Sequence, residues 1–418
     1  MKRLAIIGTG IAGLGCAHFL HRRYALTLYE KNDHAGGHAN TVMVAEPQRT
    51  VPVDTGFMVF NRVTYPHLTR LFEELGVAVK PTDMSFSVMH RPTGLEYCGS
   101  SLNHLFAQRR NLLRPRFWRM VRQINRFNTE AVAALADPQY ENHTLGDYVR
   151  ERGYGEDFLE LYLVPMSSAV WSTPPALMRE FPAVTLLRFF HNHGFLGLHT
   201  QHPWLTVVNG AKAYVERIIA PFRQVIRLQR GAASVRREGG AVRVTDTAGQ
   251  AETFDHVILA SHADESLRML ADADAQERAV LGEFKYQPNL ALLHTDASVM
   301  PKTWRCWAAW NYRMEAGQTP STIYWTNRLQ GVSDRQNYFV SINGEHSVNP
   351  NTVLKRIHYE HPVFSRGAIR AQAELPRLNE RMNNVYFCGS YFRHGFHEDA
   401  FTSALELCRR LTGERLQP

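Results

Sequence analysis

The chain has 418 residues, 44% hydrophobic and 21% charged, with a formal net charge of +8. That is room for two fully packed domains of ordinary globular composition, and the basic excess suits an acidic partner surface. No run reaches the ~18 uncharged apolar residues of a membrane span. Five scattered cysteines without a CxxC exclude a disulfide framework and a zinc site, and point to a reducing, cytoplasmic setting.

Arg3–Ile7 reads as a buried parallel strand and Ile11–Leu20 as a helix, with Gly8-Thr9-Gly10-Ile11-Ala12-Gly13 between them. The spacing predicts an adenine-dinucleotide site. Gly8 permits the tight turn, Gly10 lets a pyrophosphate approach the backbone, and Gly13 lets helix and strand touch. The helix start at Ile11 and Ala12 offers free N–H groups to phosphate. Ala25–Tyr29 reads as the second strand, followed by Glu30, which can accept from a ribose diol, and by Lys31. Lys2 and Arg3 before an apolar run also resemble a secretory leader, but its removal would destroy this fold.

Gly36-Gly37-His38 and Val53-Asp54-Thr55-Gly56-Phe57, with Met58 after it, come next. Each is open to reading as a surface turn or as a further ligand contact.

Residues 97–129 contain no Asp or Glu but seven arginines: Arg109, Arg110, Arg114, Arg116, Arg119, Arg122 and Arg126. Pro115 can start a helix there. Its arginines would recur at three- and four-residue steps opposite Phe117, Met120, Val121, Ile124 and Phe127. One reading is a solvated face above a core stripe. The other is a surface that settles on anionic lipid, with Phe117 or Trp118 at the acyl boundary. Nucleic acid is disfavoured, because no recognised reading module accompanies the charge. His191, His193, His199 and His202 match no known ligand spacing, so no metal is assigned.

Residues 225–260 alternate in short runs and predict a β-meander whose closing strand returns to the parallel sheet at Ala260. Near the C-terminus, residues 384–389 read as a short buried strand ending at Gly389-Ser390. Gly395 and Phe396 to Asp399 then lead to a helix over residues 400–411. A second helix start placed against the ligand favours negative charge there. A simple NAD domain needs no such remote return; a flavin does.

Together these stretches (6–37, 53–61, 204–215, 306–312, 324–330 and 387–403) resemble the flavin-containing amine oxidase superfamily, which includes phytoene desaturases. Within it they are most similar to a bacterial group of predicted NAD/FAD-binding proteins found with cyclopropane-fatty-acid-synthase-like methyltransferases. The resemblance implies an α/β fold: a Rossmann-type FAD-binding domain (1–80, 205–283, 375–418) interleaved with an α+β substrate domain (81–204, 284–374). It implies noncovalent FAD held by Gly8 to Gly13, Glu30, Lys31, Gly36, Gly37, His38, Thr55, Gly56, Phe57, Met58, Val235, Ala260, Gly389, Ser390, Phe396, His397 and Ala400. Ser234 and Val235 would meet the adenine.

Flavin N5 would accept hydride, leaving the protein to position a C–H bond and exclude water. His397 is the one catalytic candidate, able to stabilise a reduced anionic flavin or relay a proton. It is equally open to reading as a mere contact.

Two departures from the amine oxidase pattern stand out. The strand over residues 289–294 lacks the lysine those enzymes place near N5, with Lys285 just before it. Phe396 stands where they carry a cage tyrosine. Three functions follow: desaturation of a lipid or methylated acyl chain at the inner face of a membrane, amine oxidation with peroxide release, or a nonenzymatic flavoprotein that presents its arginines to a partner.

Overall fold

The computed structural model describes residues 1–197 and 200–417. At its centre is a five-stranded sheet in the order Ile226–Arg227, Ala25–Tyr29, Arg3–Ile7, His256–Leu259, Val385–Phe387. All its neighbours run parallel. Leu4 and Ile6 pack on one face with the Ile11–Leu20 and His397–Thr412 helices. Ala5 and Ile7 pack on the other with Val235, Val244 and Phe254. Burial on both faces is why Arg3–Ile7 is a continuous apolar run rather than an alternation.

The expected bounds of the first strand, first helix and second strand hold residue for residue. The meander is shorter than expected, comprising Ala232–Glu238, Ala241–Asp246 and Ala251–Phe254. Ile226 and Arg227 leave it and pair with Leu28 and Tyr29 at the edge of the parallel sheet. Two residues carry no periodicity that could have shown this. The last helix begins at His397 rather than at 400. Phe396 stays extended, and Asp399 turns back to accept from its N–H at 2.9 Å. Glu398 and Asp399 therefore lie in the first turn, where negative charge suits the helix dipole.

A seven-stranded sheet stands beside the parallel one, in the order Val353–Val363, Lys285–His294, Phe339–Ile342, Ser321–Trp325, Trp310–Met314, Phe86–His90, Leu95–Cys98. It is antiparallel except where Trp310–Met314 meets Phe86–His90. Helices between residues 115 and 192 enclose an aromatic core that includes Phe127, Tyr148, Phe158 and Phe190. Val51 and Val53, on a hairpin near the N-terminus, pack against Ala291 and Leu293 of the large sheet. Ala368 and Ala371 join the core of the parallel one. The two sheets are thus stitched together by segments exchanged in both directions.

The arginine-rich helix spans Pro115–Ala134. Phe117 cannot reach an acyl boundary: it is buried edge-on to Tyr97 and Phe106. Trp118 is exposed. Among the described residues no helix is long and apolar enough to cross a membrane.

Candidate cofactor site

The three glycines of the first turn meet three different environments. Gly8 has φ +100°, and a Cβ there would lie 2.9 Å from the Ala260 carbonyl oxygen. At Gly13 a Cβ would fall 2.0 Å from the Gly8 oxygen. At Gly10 a Cβ would meet no protein atom within 4 Å. Two positions are closed by the fold and the middle one opens onto space, the arrangement a pyrophosphate requires. The first-turn N–H groups at Ile11 and Ala12 have no intrahelical acceptor, as at any helix start.

Glu30 lies just past its strand and is buried. Its Oε2 accepts from the Thr9 amide at 3.1 Å and the Thr9 hydroxyl at 2.5 Å; Oε1 accepts from Asn32. These four bonds fill the carboxylate's lone-pair sites and fix it at the carboxyl edge of the sheet, so a diol would bind there by displacing one of them, the Asn32 side-chain amide or the Thr9 hydroxyl. Lys31 turns away from it, its amino group 2.7 Å from Glu265.

The second glycine pair closes over the first. The Gly36 amide donates to the Thr9 carbonyl at 2.9 Å, and a Cβ on Gly37 would lie 3.0 Å from the Gly10 Cα. His38 follows, stacked on Tyr359 at 4.9 Å and near His361 at 5.4 Å. Its carbonyl accepts from the Phe57 amide, and it blocks any side chain at Gly56. The Thr55 hydroxyl meets the Tyr359 hydroxyl at 2.9 Å. Met58 accepts from Thr206 through its carbonyl.

The C-terminal return arrives beside these residues. The Gly389 amide donates to the Ser403 hydroxyl at 2.9 Å, and Ser390 opens a single helical turn. His397 stacks on Phe57, with ring centres 3.9 Å apart, and its Nε2 is hydrogen bonded to the Tyr214 hydroxyl at 2.9 Å. Ala400 is buried one turn on. Val235 is fully buried in the meander, its carbonyl accepting from Ala271, and Ala260 ends the fourth strand of the sheet against Gly8 and Gly13.

Desolvation holds His397 down to about 3. Burial therefore favours the neutral imidazole. A hydrogen bond remains within its capacity. Desolvation likewise lowers His38, and brings His361 down to about 4.

Several residues of the cluster escaped the sequence reading. Thr9 orients Glu30, while Asp54 is wholly buried and accepts from the Ala211 amide and Gln330. Tyr214, His262, Tyr359 and His361 surround His38 and His397. A usable signal existed. Tyr359 and His361 are two apart on a strand and so share a face, and His262 follows the carboxyl end of a parallel strand.

His262, Glu265 and Glu360 bring three possible ligand atoms within 4.8 Å of one another, but Lys31 already supplies positive charge at Glu265. His193 and His202 are spent on the carbonyls of Phe189 and Asn192. His199 lies outside the described residues.

Beside Phe396 stands an aromatic wall. Phe189 stacks on it at 5.1 Å, Trp171 is 6.1 Å away, and His193 stacks on Phe189 at 3.9 Å. Desolvation lowers His193 to about 4, so this wall carries no charge. Lys285 is exposed at the start of its strand, and the residue that meets His361 is Asn289, at 2.8 Å.

A Rossmann-type sheet with an open glycine turn at its first helix, and a last helix packed beside that one and starting against Phe57, defines a dinucleotide-binding flavoprotein. The chain belongs to the flavin containing amine oxidoreductase family, whose model matches residues 11–302, and its cofactor is FAD. A 1-hydroxycarotenoid 3,4-desaturase from Flavobacterium sp. (strain P99-3) is 33% identical over 98 residues, 23% of this chain and 18% of that protein. The CLA-producing fatty acid isomerase from P. acnes superposes with a TM-score of 0.70 at 15% identity, over 99% of each chain. Cyclohexylamine oxidase from Brevibacterium oxydans IH-35A gives 0.69 at 14% identity, over 98% of this chain and 99% of that one. At these identities the two structures establish the fold alone.

Proposed function

We propose that the protein is an FAD-dependent dehydrogenase that desaturates an uncharged, lipid-like substrate such as a fatty-acyl or methylated acyl chain. The observation that carries this reading is the neutral aromatic wall of Phe189, His193, Trp171 and Phe396 next to His397. A hydrocarbon loses nothing on entering such a surface, whereas an ammonium would lose its hydration there, the carboxylate behind Phe396, Asp399, being already engaged by the His394 and Phe396 amides. The short desaturase match is in keeping with this.

Bound FAD supplies the hydride acceptor. Around it the chain's own residues divide the work. Glu30 would accept from the ribose in place of one of its present donors, Gly10 would admit the pyrophosphate, and the start of the last helix would offer N–H groups to negative charge. The aromatic wall orients the substrate and keeps water out. His397, neutral and tied to Tyr214, holds a hydrogen bond rather than a charge. Attachment is noncovalent in this reading: the thiol of Cys388, just before Gly389, faces Cys16 at 3.7 Å. Peripheral attachment to the inner face of a membrane would bring such a substrate within reach.

Amine oxidation with release of hydrogen peroxide is the second reading, favoured by the family's own description and by the aromatic faces, between which a neutral amine can pass. Anaerobic addition of candidate substrates while the flavin's visible absorbance is followed tests both. Bleaching by acyl lipids is expected. Bleaching by amines with none from lipids would overturn the proposal in favour of the oxidase, and no bleaching by either would leave a flavoprotein without this chemistry.

A further inference from the structure

The arginine-rich segment has no part in the cofactor site. Leu95–Cys98, on which it packs, is the far edge strand of the seven-stranded sheet, and Tyr359 and His361 lie on the opposite edge. Six strand spacings of about 4.8 Å separate the two edges by roughly 25–30 Å.

At that far edge, apolar side chains stand out in solvent. Leu113 is 87% exposed, Leu102 66%, Leu112 46% and Trp118 43%. All four lie on the short helix Leu102–Leu105, the turn Arg109–Leu113 and the first turn of Pro115–Ala134. Trp118 is fastened to the turn by its indole N–H, which donates to the Leu112 carbonyl at 2.9 Å. Isolated exposed leucines need no explanation, but a group on one short segment does.

The arginines around them are only partly neutralised. Arg116 is neutralised by Asp157, and Arg126 by Glu130. Arg109 and Arg110 reach only neutral oxygens, those of Phe106, Asn103 and Gly94. Arg114 faces Asn111 at 3.4 Å. Among the described residues none of Arg109, Arg110, Arg114, Arg119 and Arg122 pairs with a carboxylate. The cleft of about 280 Å³ beneath the tip is no acyl slot: beside Leu95, Phe117, Met120 and Leu161 its wall carries Arg114, Arg116 and the carboxylates of Glu156, Asp157 and Glu160.

We infer that this tip is a membrane-docking face for anionic phospholipid. Leu112, Leu113 and Trp118 enter the acyl boundary, and Arg114, Arg119 and Arg122 meet the phosphates. Apolar prongs ringed by unpaired arginines suit a bilayer, where one depth is greasy and the next anionic. A nucleic acid would use the arginines and leave Leu113 in water. The inference does not depend on what the flavin oxidises.

The test is sedimentation of the flavin-loaded protein with vesicles of phosphatidylglycerol and phosphatidylcholine, against phosphatidylcholine alone. Binding to the anionic vesicles is expected. It should fall at least tenfold in the double variant Leu112→Ser, Leu113→Ser, and as far in Arg114→Ser, Arg119→Ser, Arg122→Ser. Retained flavin absorbance certifies that each variant is folded. Brominated acyl chains should quench part of the fluorescence, and Trp118→Phe should abolish that part. Equal binding to both vesicle types would overturn the inference. So would full binding by the leucine variant, which would reduce the face to a site for any polyanion.

Discussion

A methyl group added at Gly13 lands 2.0 Å from a backbone oxygen, whereas one added at Gly10 meets no protein atom within 4 Å. The two substitutions should therefore fail differently. Gly13→Ala is expected to prevent folding, with loss of soluble protein or of the far-ultraviolet helix signal. Gly10→Val should fold with a near-normal melting temperature yet purify colourless, because its side chain fills the pyrophosphate space. Asp399 offers a test in pH. Desolvation raises its carboxyl to about 7, and its Oδ2 accepts from both the His394 and the Phe396 amide. A carboxyl raised on folding contributes stability that is complete below its unfolded value of about 3.9 and is lost as pH rises through its folded value. Asp399→Asn keeps an acceptor for both amides and cannot ionise. The wild-type stability should fall relative to the variant between about pH 4 and 7; parallel melting curves across that range would contradict the assignment.

At the scale of elements, the contact that matters most is between the first helix and the last. A Cβ on Gly15 would lie 2.9 Å from the Phe401 ring, and Ala404 is also within contact. Gly15→Val should push the last helix outward and cost about 1–3 kcal/mol of stability, as overpacking commonly does, with FAD affinity falling because His397 moves with it. Denaturant unfolding followed alongside flavin fluorescence would register both effects. The same helices show what a sequence can and cannot disclose. The first was legible to the residue because glycine turn, apolar strand and acidic residue constrain one another. The start of the last was not, since Gly395 and the polar run His397-Glu398-Asp399 look like loop until Asp399 is seen closing on Phe396. Phe117 stayed open between core stripe and acyl boundary for a related reason. Helical period sorts faces, but only packing reveals that its side receives Tyr97 and Phe106.

Across the whole molecule, the cofactor residues come from the beginning, the middle and the end of the chain. One ligand thus ties all three together, and its removal should loosen everything at once. A flavin present at a hundred times its dissociation constant adds about 2.7 kcal/mol. Stripping it should lower the melting temperature by a few degrees in a single transition; two separate transitions would show that the halves melt independently. The glycine turns at both ends were readable because each has a local signature. For His262, Tyr359 and His361 the sequence offered only a shared strand face and a strand end, and it is the pairing of distant strands that brings them to His38.

The parallel sheet sets a schedule for biosynthesis. Val385–Phe387 is the outermost strand beside His256–Leu259, and the helix that completes the pocket is made after it. The chain must therefore be made at least as far as the helix that starts at His397 before the pocket is complete, and products that stop short of it should bind flavin poorly. Because the first and last helices of these residues lie flank to flank, a circular permutant that joins residue 418 to residue 1 should still yield a yellow protein.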